Sequence, residues 1–291
     1  MNYILFYLGR VPNHVEYTLN SILSSDQNAQ IYFCTDKKYE RKNIINIDFN
    51  NFQDLNDKNN EIKSLLKNTP LQENPLWSSS LMRIYVLKKL AENLNLNEFV
   101  HFDTDIIVYN SFENIQKSYK FNKSKLNITL LDNRHLVFGY SYFPKKVIID
   151  QIYQCFENIF NDYSFFKNKY GNGGTFNEMK MMNVSRIMKP ELFSLLPSIP
   201  YFESQILFDP AGYGQFLDGS HTKNGNYYFK RRYISTTSEV GKELKSKRIK
   251  FIFKNNLPTV IYKKSNFQLC NLHVHSKRLH KFLPSNYKSH I

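Results

Sequence analysis

The stretch FVHFDTDIIVYNSF, residues 99 to 112, carries two aspartates one residue apart at the end of an apolar run. Side chains of an extended segment alternate, so Asp103 and Asp105 are expected to project from one face, roughly 7 Å apart along a strand. Two anions so placed repel unless a cation or a set of donors lies between them. Mg²⁺ and Mn²⁺ take oxygen ligands, commonly one or two carboxylates together with phosphate oxygens. The pair therefore suits a divalent metal that also holds a diphosphate. Such a metal would offset the repulsion and take up charge on a departing diphosphate. A D-x-D alone also fits a solvated turn, but FVHF before it and IIVY after it argue against open solvent.

A second constellation lies near the end of the sequence. In NLHVHSK, His273 and His275 alternate onto one face of an extended segment, and Lys277 follows on the same side, where it could reach a diphosphate. One imidazole beside two carboxylates suits Mn²⁺. The spacing leaves open which histidine ligates, and a surface strand or a hydrogen-bonded core histidine would show the same alternation.

The elements that must position these groups follow from periodicity. YILFYLG (3–9) reads as a buried strand, NHVEYTLNSILSS (13–25) as a helix capped by Asn13, and AQIYFCTD (29–36) as a second strand. Segment 42–75 is rich in Asn, Asp and Lys, with a short strand at 44–47, a helix around 58–67 and a loop closing at Pro75. LWSSSLMRIYVLKKLAENL (76–94) alternates apolar and polar faces as a helix, and the aspartate strand follows. Strand, helix, strand, helix, strand is a parallel, doubly wound α/β pattern, in which ligands bind outside the carboxyl ends of the strands. Thr35, Asp36, Asp103 and Asp105 would all lie there. Further on, 126–131 and 137–143 read as strands and 145–161 and 176–183 as helices. RIKFIF (248–253) and TVIYKK (259–264) read as short strands. Gly171, Gly173 and Gly174 lack phosphate-loop spacing and read as a turn.

The chain has 291 residues, 42% of them hydrophobic, with 24 Phe and 20 Tyr, and no repeat or linker divides it. A single domain over 1–291 is expected, with a donor-binding half (1–112) and an acceptor-side half (113–291). No apolar run reaches the ~18–20 residues of a membrane span. MNYILFYLGRVPN lacks a basic n-region and reads as a strand. Cys34, Cys155 and Cys270 are odd in number and widely spaced, which points to a reducing compartment, the cytoplasm. Net charge is +14, and residues 223–291 hold sixteen Lys/Arg against two acids, so the preceding 222 residues are balanced. That distribution fits an anionic partner: nucleotide phosphates, an anionic lipid surface at the inner face of a membrane, or nucleic acid.

ILFYLG (4–9), FCTD (33–36), SSLMRIYVLKKL (79–90), HFDTDIIVY (101–109), FDPAGYGQFLDG (208–219) and NLHVHSKRL (271–279) together span most of the chain. They resemble a GT-A-fold, metal-dependent nucleotide-sugar glycosyltransferase, of the kind found in bacterial and viral polysaccharide clusters. The last two pieces are similar to a narrower, capsule-type group. The resemblance implies that Tyr7, Thr35 and Asp36 contact base and ribose, and that Arg83 reaches the donor or the aspartates. It further implies that Asp103 and Asp105 carry the ribose and metal contacts, with a C-terminal histidine as third metal ligand. Its partners would be a nucleotide-sugar donor, UDP-linked by default, and a glycan or lipid-linked acceptor, without nucleic acid. An inverting enzyme needs a carboxylate base near the acceptor hydroxyl, for which Asp209 is the candidate. In a retaining one, Gln215 or Asp209 would position sugars. Asp132 and Asn133 form a weaker acceptor-side pair, and Trp77 fits either sugar stacking or core. A haloacid-dehalogenase-type phosphatase also uses D-x-D after an apolar strand, but on an opening strand and with a downstream Gly-Asp-x-x-x-Asp that is missing here. A nucleic-acid module using NYYFKRRY would leave the aspartate pair unexplained.

Overall fold

The computed structural model describes residues 1–287 except 70, 73–74, 173–174, 202–203, 222–226, 229–238, 255–256 and 285–286. The described strands are β1 (Asn2–Tyr7), β2 (Gln30–Thr35), β3 (Ile45–Asp48), β4 (Phe99–His101), β5 (Ile106–Val108), β6 (Leu126–Asp132), β7 (His135–Phe143), β8 (Phe193–Leu195), β9 (Ile206–Leu207), β10 (Ser220–His221), β11 (Tyr227–Tyr228), β12 (Ile249–Lys254), β13 (Leu257–Tyr262), β14 (Ser265–Leu269) and β15 (Asn271–His273). The helices are α1 (His14–Ser25), α2 (Gln53–Leu66), α3 (Pro75–Asn93), α4 (Phe112–Ser118), α5 (Lys146–Asn161), α6 (Tyr163–Tyr170), α7 (Glu178–Met188), α8 (Gly212–Asp218) and α9 (Glu239–Lys245).

The main sheet has the order β3-β2-β1-β4-β7-β6-β8, and β7 alone runs against the other six strands. Strand alternation sends neighbouring side chains of β1 and β2 into different layers. Tyr3, Leu5, Ile31 and Phe33 pack with Val15, Leu19 and Ile22 of α1 and with Phe112 and Ile115 of α4. Ile4, Phe6, Tyr32 and Cys34 pack against α2, α3, α5 and α7. Both faces are covered, so the strands read as continuous apolar runs. This is the GT-A-like, doubly wound α/β architecture that the resemblance implies. A second sheet, β12-β13-β14-β9, forms its own core with α8 and α9.

Several boundaries depart from the sequence reading. α2 begins at Gln53 rather than near 58, anchored by Leu55 in the core. Pro75 opens α3, where its missing N–H is no loss, instead of closing a loop. α7 runs to Met188, and α6 has no counterpart in the sequence reading. Asn13 does not cap α1. Its backbone is already helical (φ −56°, ψ −27°) and its side chain makes no cap hydrogen bond. The aspartate strand is broken: β4 stops at His101, residues 103–105 form a turn, and β5 leaves the main sheet to pair with β15. Gly173 and Gly174 lie outside the described residues. Cys34, Cys155 and Cys270 are buried free thiols. No described helix is long and apolar enough to cross a membrane.

Candidate metal centre

The turn that carries the aspartates is held from three sides. The amide of Asp103 donates to Phe138 O (3.0 Å), Thr18 Oγ1 of α1 donates to Thr104 O (2.7 Å), and the amide of Val274 donates to Asp105 O (2.9 Å). β15 pairs antiparallel with β5 and sets His273 opposite Ile106, next to Asp105. This pairing joins the two constellations that sequence spacing left apart. His273 Nε2 lies 3.0 Å from Asp105 Oδ1 and 3.8 Å from Asp103 Oδ2. The His275 ring stacks on that of His273 at 4.2 Å, and Lys277 Nζ pairs with Asp105 Oδ2.

Behind Asp103 stands a second ion-pair system. Arg83 of α3 bridges Asp103 and Glu178 Oε1 (2.9 Å) and lies 4.8 Å over the Phe138 ring. Burial alone would raise the pKa of Asp105, which is 4% exposed. His273 and Lys277 outweigh burial and hold its carboxyl well below the usual range. Burial would lower His273, but Asp105 and Asp103 reverse that and raise it. His101, buried between Phe6 and Phe138, is pushed down to about 3 by burial and by Arg83, and stays neutral.

A divalent cation fits these residues. Asp105, His273 and His275 each offer a ligand atom, and these atoms lie within 4.8 Å of one another. Asp103 adds a second carboxylate, and His273 Nδ1 is buried without a hydrogen-bond partner. Carboxylate oxygens with imidazole nitrogen suit Mn²⁺, and Mg²⁺ takes the oxygen share of the set.

Other expected site residues fall differently. Tyr7, at the end of β1, is half-buried, which raises its hydroxyl, and it lies near enough to Lys277 and Asp105 to feel both charges. Thr35 donates its hydroxyl to Lys37 O (2.8 Å), and Asp36 accepts the amide of Gly9 (2.6 Å). Asp36 thus fastens the β1–α1 loop to the β2 end.

Asp209 departs most from expectation. It is 0% exposed, and its carboxylate accepts the amides of Tyr213 (2.9 Å), Gly214 (3.0 Å) and His273 (2.9 Å). An acceptor-side base must be reachable from solvent, and this carboxylate is fully buried. It ties α8 to the histidine strand. The approach is so close that a Cβ on Gly214 would sit 1.8 Å from His273 O. Gln215 lies one residue further along α8, partly exposed. Asp132 accepts from the amide of Arg134 and from His135 Nδ1 in the β6–β7 turn, and Trp77 packs against the core. Of NYYFKRRY, residues 226 and 229–233, Arg231 and Arg232 among them, lie outside the described residues.

Glu178 escaped the sequence reading, because an acid in the first turn of a helix looks like a partner for the helix dipole. Burial raises its carboxyl to about 7, since the charge of Arg83 is shared with Asp103. A carboxyl raised on folding costs stability as pH climbs from its unfolded value near ~4.3 towards 7. Glu178→Gln is therefore expected to show a melting temperature that gains on wild type from pH 4.5 to 7.5. A pH-independent difference between the two proteins would contradict this.

No protein-family model matches the chain, and neither does any curated protein. Among solved structures the chain is similar to mouse xyloside xylosyltransferase 1, with 10% identity over 67% of this chain and 85% of that one, at a TM-score of 0.45. It is similar to an active-site mutant of LgtC, with 10% identity over 81% and 84% of the two chains and a TM-score of 0.48; LgtC is named a galactosyltransferase, solved with donor and acceptor sugar analogs. It is also similar to the glycosyltransferase GlyE of Streptococcus pneumoniae TIGR4, with 9% identity over 67% of this chain and 44% of that one, at a TM-score of 0.41. The phosphatase and nucleic-acid readings are not favoured. The aspartate turn follows the fourth strand and faces two histidines and a lysine.

Proposed function

We propose that this chain transfers a sugar from a nucleotide diphosphate sugar, with UDP as the nucleotide, to a glycan or lipid-linked glycan acceptor in the cytoplasm. The observation that carries the reading is the convergence of Asp103, Asp105, His273, His275 and Lys277 at the carboxyl ends of β1 and β4. Open α/β sheets hold their ligands at that edge. When bound there by Asp103, Asp105 and the histidines, Mn²⁺ or Mg²⁺ would neutralise charge on the diphosphate as it leaves.

The protein's own groups do the remaining work. Lys277 is paired with Asp105 in this structure and is part-exposed, so it can turn to a diphosphate oxygen as a charge-assisted donor. Arg83, itself paired with Glu178, holds the Asp103 carboxylate in place beside the turn. Tyr7 and Asp36 flank the place for base and ribose, with Thr35 shaping the loop beneath them. Gln215 is assigned to positioning a sugar, and Asp209 to positioning His273.

The deciding experiment is a thermal-shift series of nucleoside diphosphate sugars with Mn²⁺ and with EDTA. A ligand at a hundred times its dissociation constant stabilises the native state by about 2.7 kcal/mol. Shifts that persist undiminished in EDTA would refute the metal-dependent reading. The paired replacement His273→Ala with His275→Ala should remove the Mn²⁺-dependent part of the shift. His280→Ala, whose ring lies against Tyr17, should keep it.

A further inference from the structure

Among the described residues, the β12-β13-β14-β9 sheet buries one face and leaves the other open. Ile249, Val260, Tyr262, Phe267 and Leu269 point into the core that includes Tyr213 of α8 and Val240 and Leu244 of α9. On the opposite face the register sets Lys250 beside Ile261, Ile252 beside Thr259 and Lys254 beside Leu257, with Asn266 and Gln268 on the next strand. Ile252 is 51% exposed on this face, midway between Lys250 and Lys254 of the edge strand β12, and the neighbouring Phe253, 38% exposed, lies beside Phe282. Residues 249 to 269 include Lys250, Lys254, Lys263 and Lys264 and no acid.

We propose that this open face docks the chain on an anionic lipid surface. The argument is one of charge and polarity together. A half-exposed isoleucine between two lysines matches a bilayer interface, where the apolar side chain enters the acyl boundary and lysine stems lie along it with their ammonium groups on phosphates. A soluble polyanion would satisfy the lysines and leave Ile252 in water. β14 continues through Cys270 into β15, so docking brings the histidine strand close to the headgroups. The proposal stands apart from the transfer reaction, because its test reads binding and needs no turnover.

The test is co-sedimentation of the full chain with vesicles of phosphatidylcholine alone and of phosphatidylcholine with phosphatidylglycerol. Binding is expected only to the mixed vesicles, and it should fall as salt rises. A basic residue at such a surface contributes about five-fold in affinity, so Lys250→Glu with Lys254→Glu should lower binding at least ~25-fold. Ile252→Ser should lower it several-fold without changing charge. Lys63→Glu with Lys67→Glu, the same charge change on exposed positions in and just after α2, should leave it near wild type. Equal losses from both lysine pairs, or no binding to mixed vesicles, overturn the proposal. The lysines could instead only guard the β12 edge against pairing with another strand. Vesicle binding would then stay the same in the β12 variant, whose glutamates still guard the edge, and that also overturns it. Tight binding of single-stranded DNA in place of vesicles would do so too.

Discussion

Asp105→Asn is expected to abolish Mn²⁺-dependent nucleotide binding and to lower transfer by more than ~100-fold, beyond the 10–100-fold typical of a metal's outer partners. The substitution deletes charge and almost no volume, so the turn held by Thr18, Phe138 and Val274 should persist. Its effect on the metal-free protein has a definite sign. The Asp105 carboxyl is depressed on folding, so it contributes stability above its unfolded value near ~3.9, which is lost as pH falls through the folded value. His273 is raised, so its share is present below ~6.5 and is lost as pH rises through its folded value. Both shares depend on the Asp105 charge. In EDTA the variant should melt lower than wild type near pH 6, and the two curves should converge in acid. A variant that keeps metal-dependent binding of a nucleoside diphosphate would remove Asp105 from the metal site.

Asp209→Ala is expected to be the most destabilising single change around the site. It would strand three buried amides, those of Tyr213, Gly214 and His273. Each orphaned group costs roughly 1–3 kcal/mol, against a total stability of about 5–15 kcal/mol. A fall in melting temperature of roughly 10 °C or more, or failure to accumulate folded protein, should follow. Asp209→Asn keeps one acceptor oxygen and separates two roles. If Asp209 positions His273, Asn weakens Mn²⁺ affinity in step with stability. If it is also an acceptor-side base, kcat falls by far more than the losses of stability and Mn²⁺ affinity account for. Calorimetric titration of Mn²⁺ and thermal melts, set against kcat, distinguish them.

The residues that chemistry singles out were legible because they are local patterns. A same-face carboxylate pair and an alternating His-x-His-x-Lys can be seen without knowing the fold. Their meeting was not legible, since it depends on β15 pairing with β5 across most of the chain. The break between His101 and Ile106 was hidden because FVHF and IIVY continue the apolar run on both sides, although the backbone turns in between. Asp209 shows the opposite failure. FDPAGYGQFLDG is rich in turn-forming residues, yet Gly212–Asp218 form α8, and the buried Asp209 carboxylate accepts the backbone amides of its first turn. Asn13 had the residue type of a cap and lacked the backbone conformation for one. Glu178 gave no signal at all, because its partner Arg83 is 95 residues away.

The wide separation of the two halves of the site also sets an order of assembly in time. Asp105 and its partner Lys277 are 172 residues apart. At synthesis rates of roughly 5–20 residues per second, about 10 to 30 s pass between them. Throughout that interval β1, β2 and β4 can already pair, while the acidic turn has neither histidine nor lysine to neutralise it. Arg83 can already pair with Asp103, but burying the turn would leave Asp105 uncompensated, so it stays in water until β15 arrives. Under the proposed function, the nascent chain is thus inert towards its donor until β15 is made, and the strand that brings the histidines to the aspartates is also the one that covers their turn.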